Sequence, residues 1–215
     1  MIGRARELVS GGALWAGLVA LGLLGGAAVD PAPTRPAAHR AGYRVLETDL
    51  HAHTTFSDGS LTPLGLVRQA ERRGLDVIAV TEHNTVLPAK LARAYARWSG
   101  GSMPIVLVGE EVTTARFHVI GVGLERTVAA DQPLYSVIAD VHAQGGLAIA
   151  AHPVKRFWPE LLPVRPDFDG AEVMHPIAYA SGGEWRWDDM VAFYTEASPR
   201  LAAVGSSDYH WGSVL

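Results

Sequence analysis

From about residue 43 onward, short and nearly continuous apolar runs alternate with stretches whose apolar residues recur every three or four positions. The runs are Val45–His51, Leu75–Asn84, Ile105–Thr114, Phe117–Gly123, Leu147–Pro153, Gly170–Pro176 and Leu201–His210. Runs apolar on both faces suit strands of a largely parallel sheet covered on both sides. Helices are predicted between most of them. Thr62 is placed to cap one, with Pro63 at its first position, Leu64, Val67 and Ala70 on one face, and Gly74 as its stop. Lys90–Trp98, Leu134–Gln144 and Asp188–Ala197 read as three more. The short step from Glu111 to His118 leaves no room for a helix and reads as a hairpin. Strands otherwise alternate with helices, which predicts an α/β fold.

The first residues break this pattern. Arg4 and Arg6 precede a charge-free run from Leu8 to Val29, long enough to cross a bilayer as a helix or to serve as a signal peptide. Either reading places the remainder outside the cytoplasm, periplasmic, extracellular or tethered to a membrane, with the arginines on the cytoplasmic side. Residues 30–42, rich in proline and alanine and without periodicity, read as a linker containing a solvated His39. The folded domain is expected over 43–215.

Composition narrows the chemistry. The chain has 215 residues, is 48% hydrophobic and 19% charged, and carries a formal net charge of −4. That fits one globular domain with an ample core and argues against a general polyanion-binding surface, so nucleic acid is not expected as a partner. There is no cysteine, which excludes disulfides, thiolate metal ligands and a cysteine nucleophile.

The polar residues that interrupt the apolar runs sit at their C-terminal ends: His51, His83, Glu111, His152, His175 and Asp208. An α/β barrel assembles its active site at that end. In "DLHAHTTFSDG" a strand over Leu46–His51 would aim His51 and His53 toward one point just past its end, and Asp58 in a Ser-Asp-Gly turn could return a carboxylate to it. Imidazoles with carboxylates and no thiolate suit Zn²⁺, Mn²⁺ or Fe. Lys155 and Arg156, two and three residues past "AHP", are candidate phosphate contacts, and His175 is a candidate substrate contact. Trp158, Trp185, Trp187 and Trp211 are candidates to wall the pocket.

In order, "DLHAHTTFSDG", "TEHN", "GEEVTT", "FHVIG", "AHP" and "GSSDYH" resemble the motifs of the PHP (polymerase and histidinol phosphatase) metallohydrolase superfamily. The resemblance implies a distorted seven-stranded (β/α) TIM-like barrel holding two to three divalent ions. It implies that His51, His53 and Asp208 hold one ion. Glu111 bridges it to a second held by His118 and His152, and Asp58, His83 and His210 hold a third. Glu111 is preferred to Glu110 because it directly precedes the "VTT" step, and alternation allows only one of the two to face the site. Glu111, Asp208 and His210 are then expected at the catalytic centre, where a water shared by two ions would be acidified toward neutrality.

The reaction so implied is phosphoester hydrolysis of a small-molecule substrate. Hydrolysis of carboxylic or carbamic esters or amides by the same centre is the alternative, and a non-catalytic metal-binding domain is another. A strongly basic pocket would favour phosphate; an apolar pocket lined by tryptophan would favour the carbonyl reading. A nuclease role in the manner of polymerase-associated members is disfavoured by the apparent export segment. The chain ends five residues after His210, so the barrel is expected either as a compact variant or as C-terminally incomplete.

Overall fold

Seven strands form one mixed sheet whose spatial order is the chain order. The computed structural model describes residues 38–101, 103–176, 186–196 and 201–211; the apolar run Leu8–Val29 and Trp185 lie outside these. No helix among the described residues is long and apolar enough to cross a membrane. The sheet comprises β3 (Thr48–Asp49), β4 (Val77–Val80), β5 (Ile105–Thr113), β6 (His118–Val122), β7 (Leu147–Ala150), β8 (Gly170–Met174) and β9 (Ala202–Gly205). β6 is antiparallel to both neighbours and the other pairings are parallel. The sheet nearly closes into a barrel, because Ala52 bridges Tyr209 just past β3 and β9, and His53 N donates to Tyr209 O at 2.9 Å.

The helices follow their sequence signals, with small shifts. α1 (Pro63–Arg72) starts at Thr62, whose Oγ1 accepts from Gly65 N at 3.1 Å. It buries Leu66, Val67 and Ala70, whereas Leu64, expected on that face, is exposed. α2 (Leu87–Ser99) begins one turn before Lys90, with Pro88 in its first turn, where the missing N–H costs nothing. α3 (Leu134–Ala143) and α5 (Trp187–Thr195) lie within a residue or two of expectation. The short α4 (Trp158–Leu161), flanked by 3₁₀ turns, fills the β7–β8 connection.

Two expectations are corrected. The strand predicted over Leu46–His51 is regular only at Thr48–Asp49. Beyond it the chain stays extended by other pairings, Thr81 N donating to Ala52 O at 3.0 Å and Ala52 N to Thr81 Oγ1 at 3.0 Å. Residues 38–42, read as linker, enter an exposed hairpin of β1 (Ala38–Arg40) and β2 (Tyr43–Val45). Its two-residue turn puts Ala41 and Gly42 at φ +52° and +82°, the left-handed pair that matches strand twist.

Most of the core lies between sheet and helices. A smaller cluster of Ala79, Ile120, Val122, Ile149, Ala151 and Val204 occupies the other face. Ile120 is the register partner of Glu111, so this second cluster shares the face on which Glu111 sits. The strands pack closely there: a Cβ on Gly109 would lie 2.7 Å from Gly121 O and 2.9 Å from Thr81 Cγ2.

Candidate metal centre

The hairpin β5–β6 explains how His118 joins the strand-end residues. Because β6 runs antiparallel, its first residue lies at the same end of the sheet as the last residues of its neighbours. Glu111, two residues before the end of β5, then reaches two sets of histidines at once. Its Oε1 lies 2.8 Å from His118 Nδ1 and 3.1 Å from His152 Nε2. Its Oε2 lies 2.8 Å from His83 Nδ1 and 3.7 and 3.6 Å from the Nε2 atoms of His51 and His53.

Asp208 closes the second side. Its Oδ1 is 3.1 Å from both His51 Nε2 and His53 Nε2, which are themselves 3.0 Å apart. Its Oδ2 accepts from His175 Nε2 at 2.7 Å. The loop after His53 folds back through Gly59 N, which donates to Thr54 O at 2.9 Å. That turn places Asp58 Oδ1 3.5 Å from His83 Nε2 and 3.3 Å from His210 Nε2. All nine residues singled out in the sequence therefore meet at one end of the barrel. Four compact donor groups result among the described residues: His51, His53 and Asp208; His51, Glu111 and His152; His53, Asp58, His83 and His210; and, drawing on two residues outside the nine, His152, Glu172 and His175. His118 joins through Glu111. Backbone strain accompanies the site, with Asn84, His152 and Asp208 at φ +53°, +26° and +46°.

Three carboxylates around the centre were not foreseen. Glu172 on β8 is fully buried and accepts from His51 Nδ1 at 3.0 Å, His152 N at 2.6 Å and the Ser206 hydroxyl. Glu82 accepts from Thr54 N at 3.1 Å and from the hydroxyls of Thr54 and Ser57, and lies 3.8 Å from His53 Nδ1. Asp49 accepts from His51 N and Ser207 N. The available signal was a carboxylate inside an apolar run, since a charge is buried only where partners compensate it.

The buried carboxylates and imidazoles of the site hold one another's charge. Burial alone would disfavour ionisation of Glu111 and Asp208, yet the surrounding imidazoles, His51 foremost, hold both carboxyls well below the usual range. Burial also disfavours a charged His51, but Asp208, Glu172 and Glu111 outweigh it and raise that imidazole well above its ordinary value. Burial dominates at His152 and lowers it. Protein donors alone leave Asp208 Oδ1 buried without a hydrogen bond. Donor atoms about 3 Å apart are close enough to be shared by one ion with bonds of ~2.0–2.1 Å. The residues present thus fit divalent metal.

The centre opens into a cavity of about 260 Å³ lined by seven of the nine residues, with His175 and Trp211; His51 and His53 lie fully buried beneath. No lysine or arginine is among the described residues that line it. Lys155 and Arg156, expected as phosphate contacts, do not line it. The chain enters a 3₁₀ turn at Lys155, whose ammonium lies 3.4 Å from the buried Asp189, while Arg156 stacks on Phe157 at 4.5 Å. Trp158 and Trp187 donate instead to the carbonyls of Pro153 and Val173. A second cavity of about 320 Å³ beside the end of α2 is lined by Arg93 and Arg97 but by no histidine or acid.

Fold and site together define an α/β-barrel protein with a polynuclear metal-type centre. The PHP domain matches residues 49–156, half of the chain, and the chain belongs to that family. An uncharacterized protein of Methanocaldococcus jannaschii is 29% identical over 119 residues, 50% of this chain and 68% of that one. The 5′-3′ exoribonuclease Rnm of Escherichia coli is 35% identical over 83 residues, 37% of this chain but only 28% of the relative. A two-domain protein containing a predicted PHP-like metal-dependent phosphoesterase from Bacteroides vulgatus shares the fold. Its TM-score is 0.67 at 23% identity, covering 83% of this chain and 56% of the other.

Proposed function

We propose that this chain is a metal-dependent hydrolase of phosphoesters, with two to three divalent ions of the Zn²⁺, Mn²⁺ or Fe type. The carrying observation is Glu111, whose two oxygens face different histidine sets. Such a carboxylate can hold two cations side by side. His51, His53 and Asp208 would hold one, His118 and His152 with Glu111 the second, and Asp58, His83 and His210 the third. When bound, the ions supply an acidified water and the positive charge that a phosphoryl transition state needs. The chain's part is to fix the donors, bury the lower face of the site and leave one side open. His210 and Asp58, at the cavity rim, are placed to orient the substrate oxygen through the third position.

Among the described residues the lining holds no lysine or arginine, so the ions would be the main counter-charge to a phosphate there. That lining, with Trp211 at its edge, is also the observation that favours the carbonyl-ester or amide reading. The exoribonuclease relatives set aside the expectation that nucleic acid is no partner. An RNA terminus belongs among the phosphoesters to be tried. Mn²⁺-loaded protein should hydrolyse at least one of a phosphomonoester, a phosphodiester and a 5′-phosphorylated oligoribonucleotide. It should lose ~10³-fold or more in kcat on Glu111→Ala, the order expected when a transition-state interaction is removed. Turnover restricted to aryl esters or carbamates would replace the phosphoester reading. Residues 8–29 are proposed to route the domain across a membrane; a reporter fused after Arg40 that is active only in the cytoplasm would refute this.

A further inference from the structure

Glu172 touches, from behind, a residue of each of the two proposed bridged positions, His51 and His152, and its hydrogen bonds are all with donors. His51 Nδ1 and the Ser206 hydroxyl approach Oε1, and the backbone N–H of His152 approaches Oε2. Its side chain is fully buried, as is His51. A carboxylate accepts at both oxygens, so Nδ1 of His51 carries a proton toward Glu172, and it is Nε2, on the side of Asp208 and His53, that would offer its lone pair to a bound ion. The same group holds His152 N while that residue sits at φ +26°, a conformation an L side chain rarely adopts unaided. Ser206 leads into the segment that carries Asp208.

We infer that Glu172 is a positioning residue that fixes the tautomer of His51 and the backbone of His152 together, so that the two bridged metal positions form or fail as a pair. This rests on the proposed metal centre. An amide cannot replace the carboxylate. If its NH₂ faces His152 N, two donors oppose each other and the strained backbone loses its anchor. If it faces His51, Nδ1 must become the acceptor and the proton moves to Nε2, which then cannot bind metal. Ser206 differs, because its hydroxyl can rotate to another acceptor.

Equilibrium dialysis of the full chain against Mn²⁺, with elemental analysis and electron paramagnetic resonance, tests this. Wild type should show an exchange-coupled Mn²⁺ pair. Glu172→Gln should bind the pair ~10–100-fold more weakly, the range for losing a group that orients a ligand, and should lose the coupled signal. Ser206→Ala should keep both. Equal affinity and an intact coupled signal in Glu172→Gln would overturn the inference. Wild type that binds no Mn²⁺ would instead refute the metal centre. Should Glu172→Gln not fold, ¹⁵N NMR of zinc-loaded wild type decides. A protonated Nδ1 on His51 supports the assignment, and a protonated Nε2 overturns it.

Discussion

Glu110 and Glu111 sit one peptide apart on β5, and strand alternation sends them to opposite faces of the sheet. Glu111 meets imidazoles and is held ionised, as described above. Glu110 meets the core, where its Oε1 accepts from Val128 N at 3.1 Å. Burial pushes its carboxyl up to about 7, Asp140 adds to the rise, and the Val128 N–H and Thr127 offset part of it. The folded-state value therefore lies above the unfolded one, and the native state binds this proton more tightly. The associated stability is fully present below the unfolded value of ~4.3 and is lost as pH rises through about 7. Glu110→Gln cannot ionise and keeps an oxygen for Val128 N. Denaturant unfolding of chelated protein should show the variant more stable than wild type by ~1–2 kcal/mol at pH 8, with the gap closing toward pH 4.5. A gap that stays constant with pH would show that Glu110 does not titrate in this range.

At the scale of elements, the Thr54–Gly59 turn decides where Asp58 goes. A Cβ on Gly59 would lie 2.5 Å from both C and O of His53 and 2.6 Å from Thr54 N, contacts with backbone that cannot rotate away. Gly59→Ala should therefore cost ~1–3 kcal/mol by overpacking and displace Asp58. Metal titration should then show the position shared by Asp58, His83 and His210 weakened, with the Glu111-bridged pair retained; unchanged occupancy of that position would contradict it. The Ser-Asp-Gly turn was visible in the sequence, as were the buried strands and the Glu111–His118 hairpin, whereas the choice of Glu111 over Glu110 came with the family resemblance, alternation saying only that one of the two faces the site. The first three are local, fixed by apolar run length, alternation and turn residues. What stayed hidden is long-range. Glu172 meets His51 across 121 residues, and no spacing rule predicts that pairing. The shortness of β3 was hidden for the same reason, because His51 and His53 are aligned by Thr81 and Tyr209 rather than by a regular strand of their own. The pairing of Lys155 with Asp189 was hidden likewise, because nearness in sequence to His152 says nothing about Asp189, to which the helix α5 gives a buried place.

Most of the buried charge among the described residues gathers at one end of the barrel. Asp49, Glu82, Glu111, Glu172 and Asp208 are all buried there, against His51, His53, His152 and His175. Burying charge is unfavourable unless it is compensated, so the fold and the cations should stabilise each other. The sheet makes the coupling global. Donors come from the ends of β3, β4, β5, β6, β7 and β9, and the closure of the barrel passes through Tyr209, next to both Asp208 and His210. An ion bound across those strands therefore holds the first and last strands of the sheet together. Ligand that binds only the folded state stabilises it by about 2.7 kcal/mol at a free concentration one hundred times its Kd. Chelated protein should accordingly unfold at lower denaturant than protein in excess Mn²⁺ or Zn²⁺, with the slope of the transition unchanged. Asp208→Asn should abolish most of that metal-dependent gain, while Lys155→Ala, outside the centre, should retain it. A metal-independent midpoint in wild type would show that the cluster at the barrel end is held by its own protons and not by ions.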